Sequence, residues 1–180
     1  MLSDYFSMTN KKKTICIIIV LIVCGIYSKT AVLYGKIQSE SMEPTLKVGA
    51  WYVATSLPFA VDHISRQDIV YFMQPEEFDE MLVKRVIGMP GEHVSIRHGM
   101  VYINGSRLNE PYLMEDMVCE DVDYTVPDDC YFMMGDNRNA SYDSRNWKNP
   151  YVNKDNIVGV VRVQIYPIDQ IHVFSSITYQ

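Results

Sequence analysis

The sequence is short of the features that would point to several common classes of protein. Its four cysteines and four histidines are scattered through 180 residues, and none has the spacing of a metal site. The net charge is −6 and no basic patch with interleaved aromatic residues appears, which argues against nucleic acid as a partner. Beyond the N-terminal region there is no long amphipathic helical period and no internal repeat. A metal-dependent, nucleic-acid-binding or all-helical protein is therefore not indicated.

What is present begins with one apolar run near the N-terminus. Three lysines at 11–13 precede an unbroken apolar stretch over 15–26, and the span reaches Tyr34 if Lys29 extends to the interface. About twenty such residues are enough to cross a bilayer. A cleaved signal peptide also combines a basic segment with about a dozen apolar residues, but no Ala-x-Ala cleavage site follows. We therefore expect an uncleaved membrane anchor.

The lysine cluster also predicts the orientation of the chain. Positive charge before the first span keeps the N-terminus in the cytoplasm. The predicted organisation is a cytoplasmic tail over 1–13, a transmembrane anchor over 14–34 and an extracytoplasmic domain over 35–180 of a single-pass plasma-membrane protein. Cys119 and Cys130 would then lie where disulfides persist, and their spacing leaves open whether they are bridged.

From Gly49 onward the sequence is typical of a mainly β domain. Apolar runs are separated by turn dipeptides, as in AWYVATSL, DIVYFM, MLVKRVIGM, CYFMMG and IVGVVRVQIYPI. Asn104-Gly105 predicts a two-residue hairpin turn, because both central positions of that turn need positive φ. Pro90-Gly91 suits a type II turn. We predict an antiparallel β-sheet domain behind one N-terminal transmembrane helix.

Ser39 and Ser41 stand in KIQSESMEPTLKVG, a polar stretch that follows the apolar run. Stretches of this kind are most often loops whose hydroxyls are simply solvated. A serine becomes a nucleophile only if a nearby base takes its proton, and that base is a histidine or a neutral lysine. No histidine stands in a segment that points to catalysis, so a lysine is the more plausible base.

Lys84, in EMLVKRVIGMPGE, is a candidate base. Strand alternation puts it on one face with Leu82 and Val86, while Arg85 goes to the other face. An apolar face disfavours the ammonium ion, so the pKa of Lys84 should fall toward the range in which lysine accepts a proton. The alternative is a lysine at a sheet edge that prevents aggregation.

A third polar segment, YFMMGDNRNASYDSRNW, spans 131–147. A strand ends there in a Gly-Asp-Asn turn, and Ser141 and Ser144 offer hydroxyls. Four charged residues could pair with one another: Asp136, Arg138, Asp143 and Arg145. By itself the segment is a salt-bridged loop.

Taken in order, these segments resemble those of bacterial type I signal peptidases, a membrane-bound family that uses a serine and a lysine as its catalytic pair. The resemblance covers the anchor, SESMEPTL, QDIVYFMQP, VKRVIGMPGE and MGDNRNASYDSR. It departs at Gln67, where the family has Gly, at Ala140, where Asn is common, at Glu40 beside the serine, and in NWKNPYV after Arg145. None of these departures removes a catalytic group.

The resemblance implies a role for each matched residue. Ser41 would be the nucleophile and Lys84 the general base, while the Ser39 hydroxyl and the Ser41 backbone N–H would form the oxyanion hole. Ser141 would orient the lysine. Structural support would come from Asp136, Arg138, Asp143 and Arg145. Small substrate pockets would be lined by Ile37, Met42, Leu46, Leu82 and Val83.

The implied activity is removal of N-terminal signal peptides from secreted preproteins, with cleavage after small residues in an Ala-x-Ala-like sequence. The expected partners are signal peptides and membrane lipid, with no nucleic acid, and the chemistry needs no cofactor. A self-cleaving repressor-type protease also uses Ser and Lys, but it would carry a DNA-binding domain instead of an anchor. A non-catalytic or single-substrate relative, acting as an assembly partner at a secretion or surface-protein system, is the remaining alternative.

Overall fold

A computed structural model describes residue 12 and residues 14–19, 32–74 and 81–174 of the chain, without the side chains of 58 and 59. Of the predicted anchor, 14–19 is helical and 20–31 lies outside the described residues. Residues 32–34, which the prediction placed at the end of the anchor, instead open a β-strand. Among the residues described, no helix has the length and apolar character needed to span a bilayer.

From residue 32 onward the structure is mainly β and antiparallel, as the sequence predicts. The strands are β1 (Val32–Lys36), β2 (Trp51–Thr55), β3 (Ile69–Met73), β4 (Met81–Gly88), β5 (His93–Arg97), β6 (Met100–Ile103), β7 (Ser106–Arg107), β8 (Val122–Thr125), β9 (Cys130–Met134), β10 (Tyr151–Asn153), β11 (Ile157–Tyr166) and β12 (His172–Val173). Their apolar and β-branched composition accounts for the strands, since such side chains pack well on a pleated surface.

The strands form two antiparallel sheets. The larger sheet has the order β1-β2-β11-β3-β4-β9-β10, and β12 pairs with β11. The smaller sheet has the order β7-β6-β5-β8. The chain leaves the larger sheet after β4, builds the smaller sheet, and returns as β9 beside β4. The smaller sheet is therefore an insertion between two neighbouring strands.

The two turns predicted from dipeptides are confirmed. Asn104 and Gly105 have φ of 50° and 83° and connect β6 to β7 in a tight hairpin. Gly91, at the third position of its turn, has φ of 77°. Both turns need left-handed backbone, which is why glycine occupies them.

Three clusters of buried apolar side chains make up the core. One packs Phe72, Val86 and Met133 beneath the middle of the larger sheet, with Leu82 at its edge. The second joins the β4–β9 end of that sheet to the smaller sheet. The third lies beneath β1 and β2 and contains Met42 and Leu46, which are fully buried. Burying a side chain of this size contributes about 2 kcal/mol, so the segment after β1 is firmly held.

One short helix, Pro58–Asp62, was not predicted. Five residues are too few to produce a recognisable helical period in the sequence. Its proline stands in the first turn, where the missing N–H costs nothing and the fixed φ suits a helix.

Candidate active site

Ser41 lies in a 3₁₀ turn, Glu40–Met42, just beyond strand β1. Because Met42 and Leu46 are buried in the third core cluster, the turn is anchored from below and Ser41 is only 6% exposed. Its Oγ lies 3.2 Å from the Oγ of Ser39, whose side chain is exposed. The two serines predicted to act together are therefore neighbours in a hydrogen bond.

Lys84 lies in β4, opposite Val70 of β3. Its side chain is buried, and Nζ donates a hydrogen bond to Ser141 Oγ at 3.0 Å. Burial lowers the pKa of Lys84 to about 8; the Asp143 carboxylate acts in the opposite direction, and Arg145 lowers the pKa further. A lysine with this pKa is neutral in a useful fraction of molecules near neutral pH, so its amine can accept a proton.

Ser41 and Lys84 line the same cavity, of about 490 Å³. Its walls come from the 35–42 segment and from residues 81–84 of β4, and Tyr52 and Tyr71 line it as well. Within the described part of the chain no hydrogen bond joins Ser41 Oγ to Lys84 Nζ. Proton transfer between them requires the serine hydroxyl to turn toward the amine, a tightening that commonly accompanies substrate binding.

Gly135 is the point at which the two halves of the site meet. A Cβ at this position would collide with the backbone carbonyl of Ser41 and with the side chain of Ser141. Two residues further on, the Asn137 N–H donates to the Ser41 carbonyl at 3.1 Å. The Gly-Asp-Asn turn therefore sets the spacing between the Ser41 backbone and the hydroxyl that holds Lys84.

Asp143 and Arg145 form an ion pair, with Nε and Oδ1 2.8 Å apart. Asp143 also accepts the Gly135 N–H at 2.9 Å, and Arg145 donates to the Arg138 carbonyl at 2.7 Å. Burial raises the pKa of Asp143, but Arg145 and the Gly135 N–H outweigh it and bring the pKa below its usual range. The pair therefore stays ionised and braces the loop that carries Ser141.

The other two charged residues of this segment pair outside it, which corrects the idea that all four bind one another. Asp136 binds Arg85 of β4 through both carboxylate oxygens and accepts the Thr45 hydroxyl. Arg138 pairs with Glu110. The reason is topological: the neighbouring strand and the segment before β8 bring these partners to the turn, and a buried charge needs the partner that reaches it.

The residues predicted to line substrate pockets separate into two groups. The cavity is lined by Ile37, Met42, Leu82 and Val83. Leu46 does not line this cavity, which corrects the prediction: it is 0% exposed and packs in the third core cluster. The chain turns inward after Ser41, with the Leu46 N–H donating to the Met42 carbonyl, and this directs the leucine into the core.

Several supporting residues do not stand out in the sequence. Thr45 and Arg85 lie inside the quoted segments, and their closeness in sequence to Ser41 and Lys84 could have identified them as supporting residues. Glu110 and Tyr112 lie in NEPYL, which has no periodic pattern and no motif that points to this site. Only the tertiary structure brings that segment to the turn.

Gln67, where the resemblance expects glycine, has φ of 69°. This is the left-handed region that glycine enters without strain and that other residues seldom adopt. Gln67 is held there by bonds at both ends: its carbonyl accepts from Arg85 and its Nε2 donates to the Asn109 carbonyl. The departure from the family pattern is thus accommodated by the surrounding contacts.

The cysteines and the acidic residues form neither a bridge nor a metal centre in the residues the structure describes. Cys119 and Cys130 are both half-buried free thiols, which answers the question that their spacing leaves open. No group of three or more His, Cys, Asp or Glu side chains is arranged there to hold a metal ion.

Comparison with known proteins gives one family. The family model described as "Signal peptidase, peptidase S26" matches residues 10–166. That range covers every residue of the cavity and of the turn at 135–138.

Individual relatives agree with the family match. A probable signal peptidase I-2 from Synechocystis sp. is 34% identical over 140 residues, covering 75% of this chain and 63% of that protein. This chain therefore spans less than two thirds of that relative. A signal peptidase I P from Bacillus subtilis subsp. natto is 38% identical over 145 residues, covering 75% of this chain and 77% of that protein. A crystal structure of a signal peptidase I from Enterococcus faecalis aligns with a TM-score of 0.49 at 34% identity, covering 54% of this chain and 96% of that one.

Proposed function

Because the chain belongs to the signal peptidase family, peptidase S26, and is similar over about three quarters of its length to bacterial signal peptidases I, we propose that it is a serine endopeptidase that removes N-terminal signal peptides from secreted preproteins. Ser41 is the nucleophile and Lys84 the general base. One observation carries the proposal: a buried lysine amine with a lowered pKa lines the same cavity as a serine hydroxyl.

The reaction needs only these two groups and water. Neutral Lys84 takes the proton of Ser41 as Oγ attacks the carbonyl carbon of the scissile peptide bond. The lysine ammonium then returns the proton to the nitrogen of the departing chain, and the peptide bond breaks to leave an acyl-enzyme. A water molecule, deprotonated by Lys84, hydrolyses the ester and frees Ser41.

Charge that develops on the carbonyl oxygen needs donors placed in advance. The Ser39 hydroxyl and the Ser41 backbone N–H are the donors in this proposal. The hydrogen bond between the two serine hydroxyls supports it, since a small rotation releases Ser39 to the oxyanion while Ser41 turns to Lys84.

Ser141 has the role of holding the lysine. Its Oγ accepts from Lys84 Nζ, and Asp143 is held beside it by Arg145 and the Gly135 N–H. An amine restrained in this way keeps one direction for its lone pair, which shortens the search for the reactive geometry.

The substrate is expected to bind as an extended chain. Strand β9 begins its pairing with β4 at Arg85, so among the described strands residues 81–84 face the cavity with an unpaired edge. An extended peptide can add to such an edge by β-augmentation, with alternate side chains entering pockets. Ile37, Met42 and Leu82 are apolar and bulky, which supports pockets that accept small residues such as Ala one and three places before the cut.

The membrane part of the proposal places the anchor within 14–31, so that it ends before β1 begins at Val32. The N-terminus is cytoplasmic and the domain lies on the outer face of the plasma membrane, in contact with lipid. The extended chain from Val32 to Ser41 spans at most about 30 Å, so the nucleophile stays close to the bilayer. A signal peptide presents its cleavage site just beyond its own apolar stretch, and enzyme and substrate then meet at a similar depth.

The test is cleavage of a preprotein that bears an Ala-x-Ala signal peptide by the detergent-solubilised full chain, with product masses read directly. Ser41→Ala and Lys84→Met should each abolish the cut after the last Ala. Ser95→Ala is the matched control, because Ser95 is a buried serine in the smaller sheet, away from the cavity. It should cleave like the unmodified chain.

Either of two results would overturn the assignment. Cleavage that persists in Ser41→Ala would mean that another group is the nucleophile. If the unmodified chain leaves several such preproteins intact, it is not a general signal peptidase. A dedicated substrate or a non-catalytic assembly role then replaces the proposal.

A further inference from the structure

The segment 109–113 joins β7 to the chain before β8 and lies against the back of the site at three points. The Asn109 carbonyl accepts from Gln67 Nε2 at 2.8 Å. The Glu110 carboxylate binds the Arg138 guanidinium, and the Tyr112 ring lies over Arg85 with its centroid 4.0 Å from Cζ. None of these contacts belongs to the reaction described above.

Glu110 completes the balance of charge in a buried cluster. Arg85 and Arg138 bring two positive charges, and Asp136 and Glu110 bring two negative ones. The side chains of Arg138 and Glu110 are only 1% and 7% exposed. Without Glu110, two guanidinium groups would share the single carboxylate of Asp136 in a medium that screens charge poorly.

Tyr112 connects the two cations. Its ring centroid is 4.0 Å from Arg85 Cζ and 6.0 Å from Arg138 Cζ, within the range of a cation–π contact for both. Its hydroxyl donates to Glu110 Oε1 at 2.8 Å, which fixes the carboxylate that Arg138 uses. Tyr112 therefore holds both pairs at once.

The cluster reaches the nucleophile through one turn. Arg138 Nε donates to the Gly135 carbonyl at 3.0 Å, and Asp136 accepts the hydroxyl of Thr45, four residues after the serine. Between them the Asn137 N–H bonds the Ser41 carbonyl. A shift of Arg138 would thus displace the turn that sets the Ser41 backbone.

We propose that Glu110 and Tyr112 are positioning residues for this reaction, acting through the two arginines on the turn that holds Ser41. The inference rests on the proposed function, since it concerns the geometry of the same reaction. Neither residue lines the cavity, so substrate binding is unaffected while the attack on the carbonyl is slowed.

The test compares kcat and KM of variants of the full chain in detergent, below the temperature at which any of them unfolds. Glu110→Gln and Tyr112→Leu should lower kcat about 10- to 30-fold with KM within about twofold, because a displacement well under 1 Å is costly to reaction but not to binding. Tyr112→Phe keeps the ring over Arg85 and should stay within about threefold of the unmodified chain.

The matched control is Glu92→Gln. Glu92 accepts two hydrogen bonds from Arg66, as Glu110 does from Arg138, but its pair has no contact with the 135–138 turn. It should leave kcat unchanged. An equal fall of kcat in Glu92→Gln and Glu110→Gln would overturn the inference, as would a fall that only tracks the lost folded fraction. If Glu110→Gln does not fold, the Tyr112→Phe and Tyr112→Leu pair decides alone.

A second readout separates this inference from the proposed function. Hydrogen exchange of the 135–138 peptide reports the Asn137 N–H bond to Ser41 whether or not the chain cleaves anything. Faster exchange in Glu110→Gln and Tyr112→Leu, with a clearly smaller change in Tyr112→Phe, supports the positioning role. Unchanged exchange overturns it. An unmodified chain without activity, in contrast, would contradict the proposed peptidase function. The exchange measurement would still test whether Glu110 and Tyr112 hold the turn.

Discussion

Raising the pH from 6 to 9 should accelerate cleavage by an amount that the burial of Lys84 determines. The pKa of Lys84 is lowered to about 8 by burial. If only the neutral amine is active, about 1% of molecules are competent at pH 6 and about 90% at pH 9, which gives a rise of about 90-fold in kcat/KM. The perturbation is the proton concentration alone, and no residue is changed.

The same pKa has a consequence for stability, with a definite sign. The ordinary pKa of lysine is 10.5, so between pH 8 and pH 10.5 the unfolded chain binds more protons than the folded one at Lys84. The free energy of unfolding therefore rises with pH across this window, because the folded state no longer has to bury an ammonium ion. The lowered pKa of Lys84 reduces the free energy of unfolding by about 3 kcal/mol at pH 7 and by about 1 kcal/mol at pH 10.

Two assays follow these quantities. Initial rates on a synthetic Ala-x-Ala peptide without titratable side chains, followed by mass spectrometry, give kcat/KM across the pH range. Urea unfolding of the unmodified chain and of Lys84→Met, at pH 7 and pH 10, gives the stability. The variant should be the more stable at pH 7, and its advantage should shrink by about 2 kcal/mol at pH 10, since other titrating groups cancel in the difference.

Either of two results would contradict the role of Lys84 as a buried general base. A flat rate between pH 6 and pH 9 would mean that Lys84 is not the base that limits the reaction. A stability difference that stays constant from pH 7 to pH 10 would mean that the ammonium is not desolvated in the folded chain. The two failures are independent, so the chemistry and the burial are tested separately.

Three substitutions test how the site is held. Ser141→Ala removes the acceptor of the lysine amine and should lower kcat about 10- to 100-fold in a peptide cleavage assay, because the amine loses its fixed direction. Gly135→Ala adds a methyl group against the Ser41 carbonyl and should lower kcat by at least about 100-fold in the same assay while the chain stays folded. Asp136→Asn leaves Arg85 buried without a charged partner and should lower the free energy of unfolding by about 3 kcal/mol in urea.

The substitutions of Ser141 and Asp136 each have a matched comparison. Ser144→Ala removes a buried hydroxyl that accepts the Met133 N–H, so it should cost stability but leave kcat almost unchanged. Asp123→Asn breaks an exposed pair with Arg97 and should cost no more than about 1 kcal/mol. If the paired substitutions behave alike, the special roles of Ser141 and Asp136 are contradicted.

The strands and tight turns could be predicted because their signals are local. Alternating apolar residues define the faces of β4, and the structure agrees: Leu82 and Val86 pack in one core cluster while Val83 packs in another. The Asn104-Gly105 dipeptide predicts its turn directly, because asparagine and glycine adopt the positive φ that this turn requires more readily than other residues do. The Pro58–Asp62 helix was missed because its local signal is too weak: five residues are too few to show a helical period.

The residues of the candidate site could be predicted only where they stand in recognisable sequence motifs. Ser41, Lys84 and Ser141 stand in three segments that could be recognised in order, and the tertiary structure brings them around one cavity and one turn. Leu46 was misassigned because an apolar residue near a serine can line a pocket or fill the core. The direction of the chain after the turn decides between the two, and no local pattern encodes it.

The β class, the tight turns and the residue types of the site follow from the sequence, because each depends on a few neighbouring residues. Which charges meet depends on the folded chain. Asp136 binds Arg85, 51 residues away, and Arg138 binds Glu110, 28 residues away. A buried charge takes whichever opposite charge the sheet order delivers to it, and that order is a property of the whole chain. The pKa of Lys84 has the same origin, since packing around β4 removes the water that would keep its amine protonated.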